Sequence, residues 1–295
     1  MINIKYHLFI KILLIKKNAF FVVDDKTKIY YEETGKEHKE TVMILHGLGS
    51  SHLKIKNFIN QFKSNYHVVY YDHRGHCSSE VPKFHINIER LAKDLHELIE
   101  YLDLKEINII GHSMGAATIY NYVNQFGTSR LKSITAVDMS PYLRNHGWKG
   151  GIARGTWTDE DYFKDFDNIF DDVGKANWII SKETMNPELK KIPKEFEQTM
   201  INSIKNDIDP FIMVGFWYAL FRLDQRNFIK KIDVPFLYIM PDFPLYSMET
   251  VNFYKDNVKG KFKLENNFPK TTHMILMEQP KEVAESIIKF IQSNK

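Results

Sequence analysis

The chain has a single cysteine, Cys77, in 295 residues. One thiol excludes an intramolecular disulfide framework and fits a reducing compartment. The 12 histidines include no H-E-x-x-H pair, and one cysteine cannot build a cysteine cluster, so no metal site is expected. There is no G-x-x-x-x-G-K-[ST] loop and no G-x-G-x-x-G turn, so no nucleotide cofactor is implied. The net charge is only +3 and its basic residues are spread along the chain, which leaves no nucleic-acid footprint. Internal repeats and low-complexity tracts are missing too.

No apolar run is long enough to span a bilayer. The stretch from His7 to Ile15 is broken by Lys11 and followed by Lys16, Lys17 and Asn18, with no small-residue cleavage site. Residues 1–18 read as an N-terminal extension, and a cytoplasmic location is the default. A membrane-surface helix within residues 1–17 is the alternative.

What the chain does have is alternation. Residues 19–24 and 28–33 read as a hairpin of strands, and 41–45, 67–71, 106–110, 131–137, 234–240 and 261–265 as further strands. Residues 51–63, 86–102, 116–123, 247–257 and 281–292 read as helices. In the second of these, Ile88, Leu91, Leu95, Leu98, Ile99 and Leu102 recur at helical spacing. Repeated strand–helix units predict an α/β fold, a mostly parallel sheet covered by helices on both faces.

The alternation lapses between about 141 and 231. Residues 19–141 and 230–295 are therefore assigned to the core, and 142–229 to an inserted helical lid. All four tryptophans fall there, Trp148, Trp157, Trp178 and Trp217, with Phe163, Phe166, Phe170, Phe196, Phe211, Phe216, Tyr218 and Phe221. Most of these rings are expected to form the insertion's own interior, and a minority to line an apolar pocket.

The most informative residues are Gly111-His112-Ser113-Met114-Gly115, which fit G-x-S-x-G. An apolar β-branched run precedes them and a helical pattern follows, the strand–turn–helix context of a nucleophile elbow. Its glycines are needed because a side chain at either flank would collide with the neighbouring strand or helix. A serine hydroxyl is a poor nucleophile at neutral pH and needs a base. Imidazole can take the proton and return it to a leaving group. His273 follows the last predicted strand and precedes the final helix. His112 neighbours Ser113 in sequence, but adjacent residues at an elbow point in different directions. His46, His73 and His76 read as structural or loop-stabilising.

Four segments in order carry a resemblance. They are Leu45-His46-Gly47-Leu48-Gly49-Ser50-Ser51, the segment Tyr71-Asp72-His73-Arg74-Gly75-His76-Cys77-Ser78-Ser79, the elbow, and Thr272-His273-Met274-Ile275-Leu276-Met277-Glu278-Gln279-Pro280. From about Ala19 onward the chain resembles the α/β-hydrolase superfamily, in its branch of small lid-bearing bacterial serine esterases. One departure is Cys77, which stands where the D-x-R-G-x-G-x-S turn has glycine. The resemblance implies an α/β-hydrolase fold, Ser113 as nucleophile, His273 as base, and an oxyanion hole made by the backbone N–H groups of Leu48 and Met114.

The third member of the triad has two candidates. Many relatives place an aspartate after the strand that here is residues 234–240, but this register puts Pro244 there, with Asp242 two residues early. The superfamily's other location is the end of the preceding strand, where Asp138 lies 25 residues after Ser113. Asp138 is favoured, with Asp242 the alternative acid. The implied function is hydrolysis of carboxylic esters or thioesters of short to medium acyl chains, with a small-molecule ester and water as reactants and no cofactor. The alternatives are a lactonase, an amidase, a C–C hydrolase or a cofactor-free haloperoxidase on the same fold, and last a non-catalytic ligand sensor. Epoxide hydrolases and haloalkane dehalogenases are disfavoured because they use a carboxylate nucleophile.

Overall fold

Successive residues of a strand point to opposite faces of a sheet, and here both faces are apolar. Met43, Leu45, Val69, Tyr71, Ile107, Ile109, Ile134 and Ala136 enter one buried cluster. Val42, Ile44, Val68, Tyr70, Ile110 and Val137 enter the other. Strands buried on both faces read as continuous apolar runs, which is why no polar alternation marks them in the sequence.

The computed structural model describes residues 19–176, 178, 193–205 and 208–294. Among these residues the sheet has eight strands: β1 Ala19–Val22, β2 Lys28–Thr34, β3 Thr41–Leu45, β4 His67–Tyr71, β5 Ile107–His112, β6 Leu131–Val137, β7 Phe236–Ile239 and β8 Phe262–Glu265. They run in the order β1-β2-β4-β3-β5-β6-β7-β8. The β1–β2 and β2–β4 pairs are antiparallel and all others parallel. Leu45 pairs with Gly111 and His112 with Val137, so β3, β5 and β6 end together at one edge. Ligand sites of open α/β sheets lie at that carboxyl edge.

The longer helices are α1 Lys56–Asn60, α2 Ile88–Tyr101, α3 Met114–Phe126, α4 Asp159–Asp171, α5 Lys194–Lys205, α6 Pro210–Arg222, α7 Met248–Asn257 and α8 Pro280–Gln292. Asn87 caps α2 through its side chain, which accepts from Arg90 N at 2.7 Å, and Ser247 caps α7. α1 is shorter than the 51–63 helix expected. The His52 N–H is bound to Asp72 Oδ1 at 2.9 Å, so the chain before α1 serves the neighbouring turn instead of a helical ladder.

Between β6 and β7 the chain carries α4, α5 and α6. Trp148, Trp178 and Trp217 are buried as expected, but Phe163, Phe170, Phe196, Phe211 and Tyr218 are exposed, Phe211 by 70%. For the rings on α4 and α6 the cause is that these two helices pack through one stripe only. Tyr162 meets Trp217 at 5.5 Å between ring centres and Phe166 meets Phe221 at 6.1 Å, leaving the other rings outside. The extension at residues 1–18, and the surface helix considered for it, lie outside the described residues. Among those residues no helix is long and apolar enough to cross a membrane.

A buried ion cluster ties the turn after β4 to α2. Arg74 is fully buried and grips Asp94 with Nε and Nη2, both at 2.6 Å, while Nη1 reaches Asp25 at 2.8 Å. Arg90 adds a second cation on Asp94 at 2.9 Å. Removing one partner of such a set strands the others in low dielectric. Asp94→Ala is therefore expected to destabilise the protein by about 3–5 kcal/mol in urea unfolding. A loss under about 1 kcal/mol, the range of exposed pairs, would contradict the burial argument.

Candidate active site

Ser113 sits between β5 and α3 with φ 52° and ψ −121°, a backbone conformation side chains rarely adopt. Its N–H donates to Val137 O at 3.0 Å, and its own carbonyl accepts from Ala116 N at 2.8 Å. The flanking glycines are there for clearance. A methyl on Gly111 would come within 2.5 Å of Ala116 N, and one on Gly115 within 2.5 Å of Leu45 O. Helix and strand therefore approach the elbow as closely as backbone allows, and the strained turn is held from both sides.

The loop after β3 lies directly against the serine: a methyl on Gly47 would stand 3.1 Å from Ser113 Cβ. Leu48 is the next residue in that loop. Met114 begins α3, so its N–H lies at a helix N-terminus, where backbone donors face anions. His46 shapes the loop. Its Nδ1 donates to Gly47 O at 2.8 Å and its Nε2 accepts from His73 N at 3.0 Å. His73 returns a bond from Nε2 to His46 O at 3.1 Å, and His76 Nε2 accepts from Gly49 N at 3.2 Å. Burial holds all three imidazoles below their usual range, His73 at about 3 and His76 at about 4, so they stay neutral. These are the loop-stabilising roles expected for them.

His273 donates from Nδ1 to Asp138 Oδ2 at 2.7 Å. Asp138 is completely buried at the end of β6, with φ 41°, and its Oδ2 also accepts from Leu245 N at 3.0 Å. Asp242, the alternative, is elsewhere engaged. Its Oδ2 accepts from Lys270 N at 2.9 Å, and its N–H donates to Thr271 Oγ1 at 3.2 Å. Ser113, the loop at Leu48, Met114, His273 and Asp138 thus meet at one edge of the sheet, and Asp242 does not join His273.

Sequence reasoning missed one contributor. His112 Nε2 donates to the carbonyl of His273 at 2.8 Å, and the two rings lie 4.8 Å apart. Burial, with His273 close by, pushes His112 down to about 3, so it is neutral and donates from Nε2 alone. Its position inside the elbow motif was the only available sign.

A family model described as alpha/beta hydrolase fold matches residues 40–278, well over half of the chain. The chain belongs to the α/β-hydrolase family. Among solved structures, the chain resembles an esterase from Exiguobacterium antarcticum with TM-score 0.80 and 20% identity, covering 93% of this chain and 99% of that one. It also resembles a bromoperoxidase from Bacillus anthracis, TM-score 0.78 and 21% identity, covering 94% and 100%. Among curated proteins, the 1H-3-hydroxy-4-oxoquinoline 2,4-dioxygenase of Pseudomonas putida is 22% identical over 281 residues, 90% of this chain and 97% of that one. At this identity the likeness to solved structures shows the fold alone, and the family match supports an enzyme. The spread of named activities leaves the reaction of this α/β-hydrolase to be argued from its site.

Proposed function

We propose that the protein is a serine hydrolase that cleaves carboxylic esters or thioesters of short to medium acyl chains through an acyl-enzyme. The observation that carries this reading is the 2.7 Å bond from His273 Nδ1 to the buried Asp138, on a histidine that packs beside the nucleophile elbow. Asp138 fixes the ring with its proton on Nδ1, which makes Nε2 the basic nitrogen. Nε2 takes the Ser113 proton as Oγ adds to the acyl carbon. The oxyanion that forms is met by the N–H groups of Leu48 and Met114, each contributing about 3 kcal/mol to the transition state. The alcohol or thiol leaves with the proton from Nε2. Water then repeats the sequence on the acyl-enzyme and frees the acid.

In this reading residues 142–229 form a lid over the site. Support comes from α6, which lies on the turn after β4. A methyl on Gly75 would touch Ile212 at 2.6 Å, and the Phe216 ring is 5.7 Å from that of His76. A panel of esters, thioesters, lactones and amides tests the substrate class. Esters or thioesters are expected to be turned over fastest. Turnover should decline beyond about a dozen acyl carbons, roughly what a pocket of a few hundred cubic ångströms accepts. Preference for a lactone, or rates that keep rising with chain length, would replace this reading by a lactonase or a lipase.

A further inference from the structure

Three side chains converge where the glycine loop that follows β3 meets the turn after β4: His52, just after that loop, and Asp72 and Cys77, both in the turn. One donor atom of each lies within 4.8 Å of the other two. His52 and Asp72 are buried, and Cys77 is exposed. The geometry points to a site for one thiophilic divalent cation of the zinc class, held by His52 Nδ1, Asp72 Oδ2 and Cys77 Sγ, with a water as fourth ligand.

The donors suit that cation. Thiolate and imidazole favour zinc over magnesium or calcium, and metal–ligand bonds of about 2.0–2.3 Å in a tetrahedron put neighbouring donors roughly 3.3–3.8 Å apart. His52 Nδ1 and Asp72 Oδ2, now 2.8 Å apart, need only separate slightly, and the exposed Cys77 side chain can turn inward. The cation would replace the proton shared in the His52–Asp72 bond.

An outer shell is already in place. Asp72 is oriented by the N–H of His52 at 2.9 Å and that of Ser78 at 3.2 Å. His52 Nε2 faces Glu32 Oε1 at 3.8 Å, and Glu32 is held by the hydroxyls of Tyr30 and Tyr70, each at 2.6 Å. Metal on Nδ1 moves the ring proton to Nε2, toward that carboxylate, the usual outer partner of a metal-bound imidazole. A thiol binds such a cation as the thiolate, so occupation of the site by Cys77 releases its proton. Cys77 also holds φ 45°, a conformation that disfavours any side chain. Ser51 and Gly49 are neighbours of His52, and Gly49 N already donates to His76, so an occupied site would clamp the glycine loop to the turn.

The test is a titration of the metal-free full chain with Co²⁺, followed by absorption, and with Zn²⁺ against a chromophoric chelator. One equivalent of Co²⁺ is expected to give a thiolate-to-cobalt charge-transfer band. Cys77→Ser should abolish the band and weaken Zn²⁺ binding by about 100-fold, and Glu32→Gln by about tenfold. Acidification should weaken binding by about tenfold per pH unit, for the one proton released. Cys77→Gly, which relieves the backbone, should bind no Zn²⁺ tightly yet melt no lower than the metal-free wild type. Both Cys77 variants should keep wild-type ester turnover in chelator, so this site and the hydrolase reading stand or fall separately. Absence of the band, or Zn²⁺ binding unchanged in Cys77→Ser, would overturn the site and place any bound metal on other histidines.

Discussion

Ser113→Ala is expected to lower ester turnover by at least about 10⁴-fold while KM stays near its wild-type value. Alanine removes the only group proposed to bond to the acyl carbon. It leaves the backbone donors of Leu48 and Met114 in place, so some transition-state stabilisation survives. The fold should not notice the change. The Ser113 side chain caps no backbone group of α3, and alanine can occupy the same strained conformation at little extra cost. Steady-state kinetics with a matched thermal melt measure both halves. A variant that keeps a tenth of its turnover would remove serine nucleophilic catalysis.

The second large effect separates the two carboxylates. Asp138→Asn is expected to cost about 10³–10⁴ in turnover, the scale seen when the corresponding aspartate of a serine protease becomes asparagine. The mechanism is a wrong tautomer. Asp138 Oδ2 accepts from both His273 Nδ1 and Leu245 N, and both partners are donors. An asparagine that puts its NH₂ in the place of Oδ2 donates to the ring, and the imidazole must then carry its proton on Nε2, where it is no longer basic. Asparagine tolerates positive φ nearly as well as aspartate, so the melting temperature should hold. Asp242→Asn should cost less than about tenfold, since that carboxylate receives Lys270 N and not the imidazole. Reversed phenotypes in paired kinetics would move the acid to Asp242.

Much of this is legible in the sequence because it rests on local rules. G-x-S-x-G needs glycines where helix and strand close on the elbow, and the distances at Gly111 and Gly115 show that need. Pro244 in the usual place and an aspartate at the end of β6 make Asp138 the favoured candidate in the sequence, and its carboxylate is the one that meets His273. What is illegible is whatever depends on separate segments meeting. His52, Asp72 and Cys77 match no metal motif because their spacing in the chain is unrelated to their spacing in space. The bond from His112 to the His273 carbonyl crosses 161 residues, and nothing at either end announces it. The shortened α1 follows from Asp72 capturing the His52 N–H, again a tertiary contact that overrides a helical pattern. The aromatic rings outside α4 and α6 misled for a related reason: composition reports how many rings there are but not which stripe of each helix is covered.

The most direct measurement is the mass of the protein after exposure to a fluorophosphonate, followed by peptide mapping. A nucleophile activated by His273 and Asp138 should take one adduct, on Ser113. Ser113→Ala should take none, and Asp138→Asn should label far more slowly than wild type. A wild-type chain that stays unlabelled, or one labelled at another residue, would contradict the acyl-enzyme account.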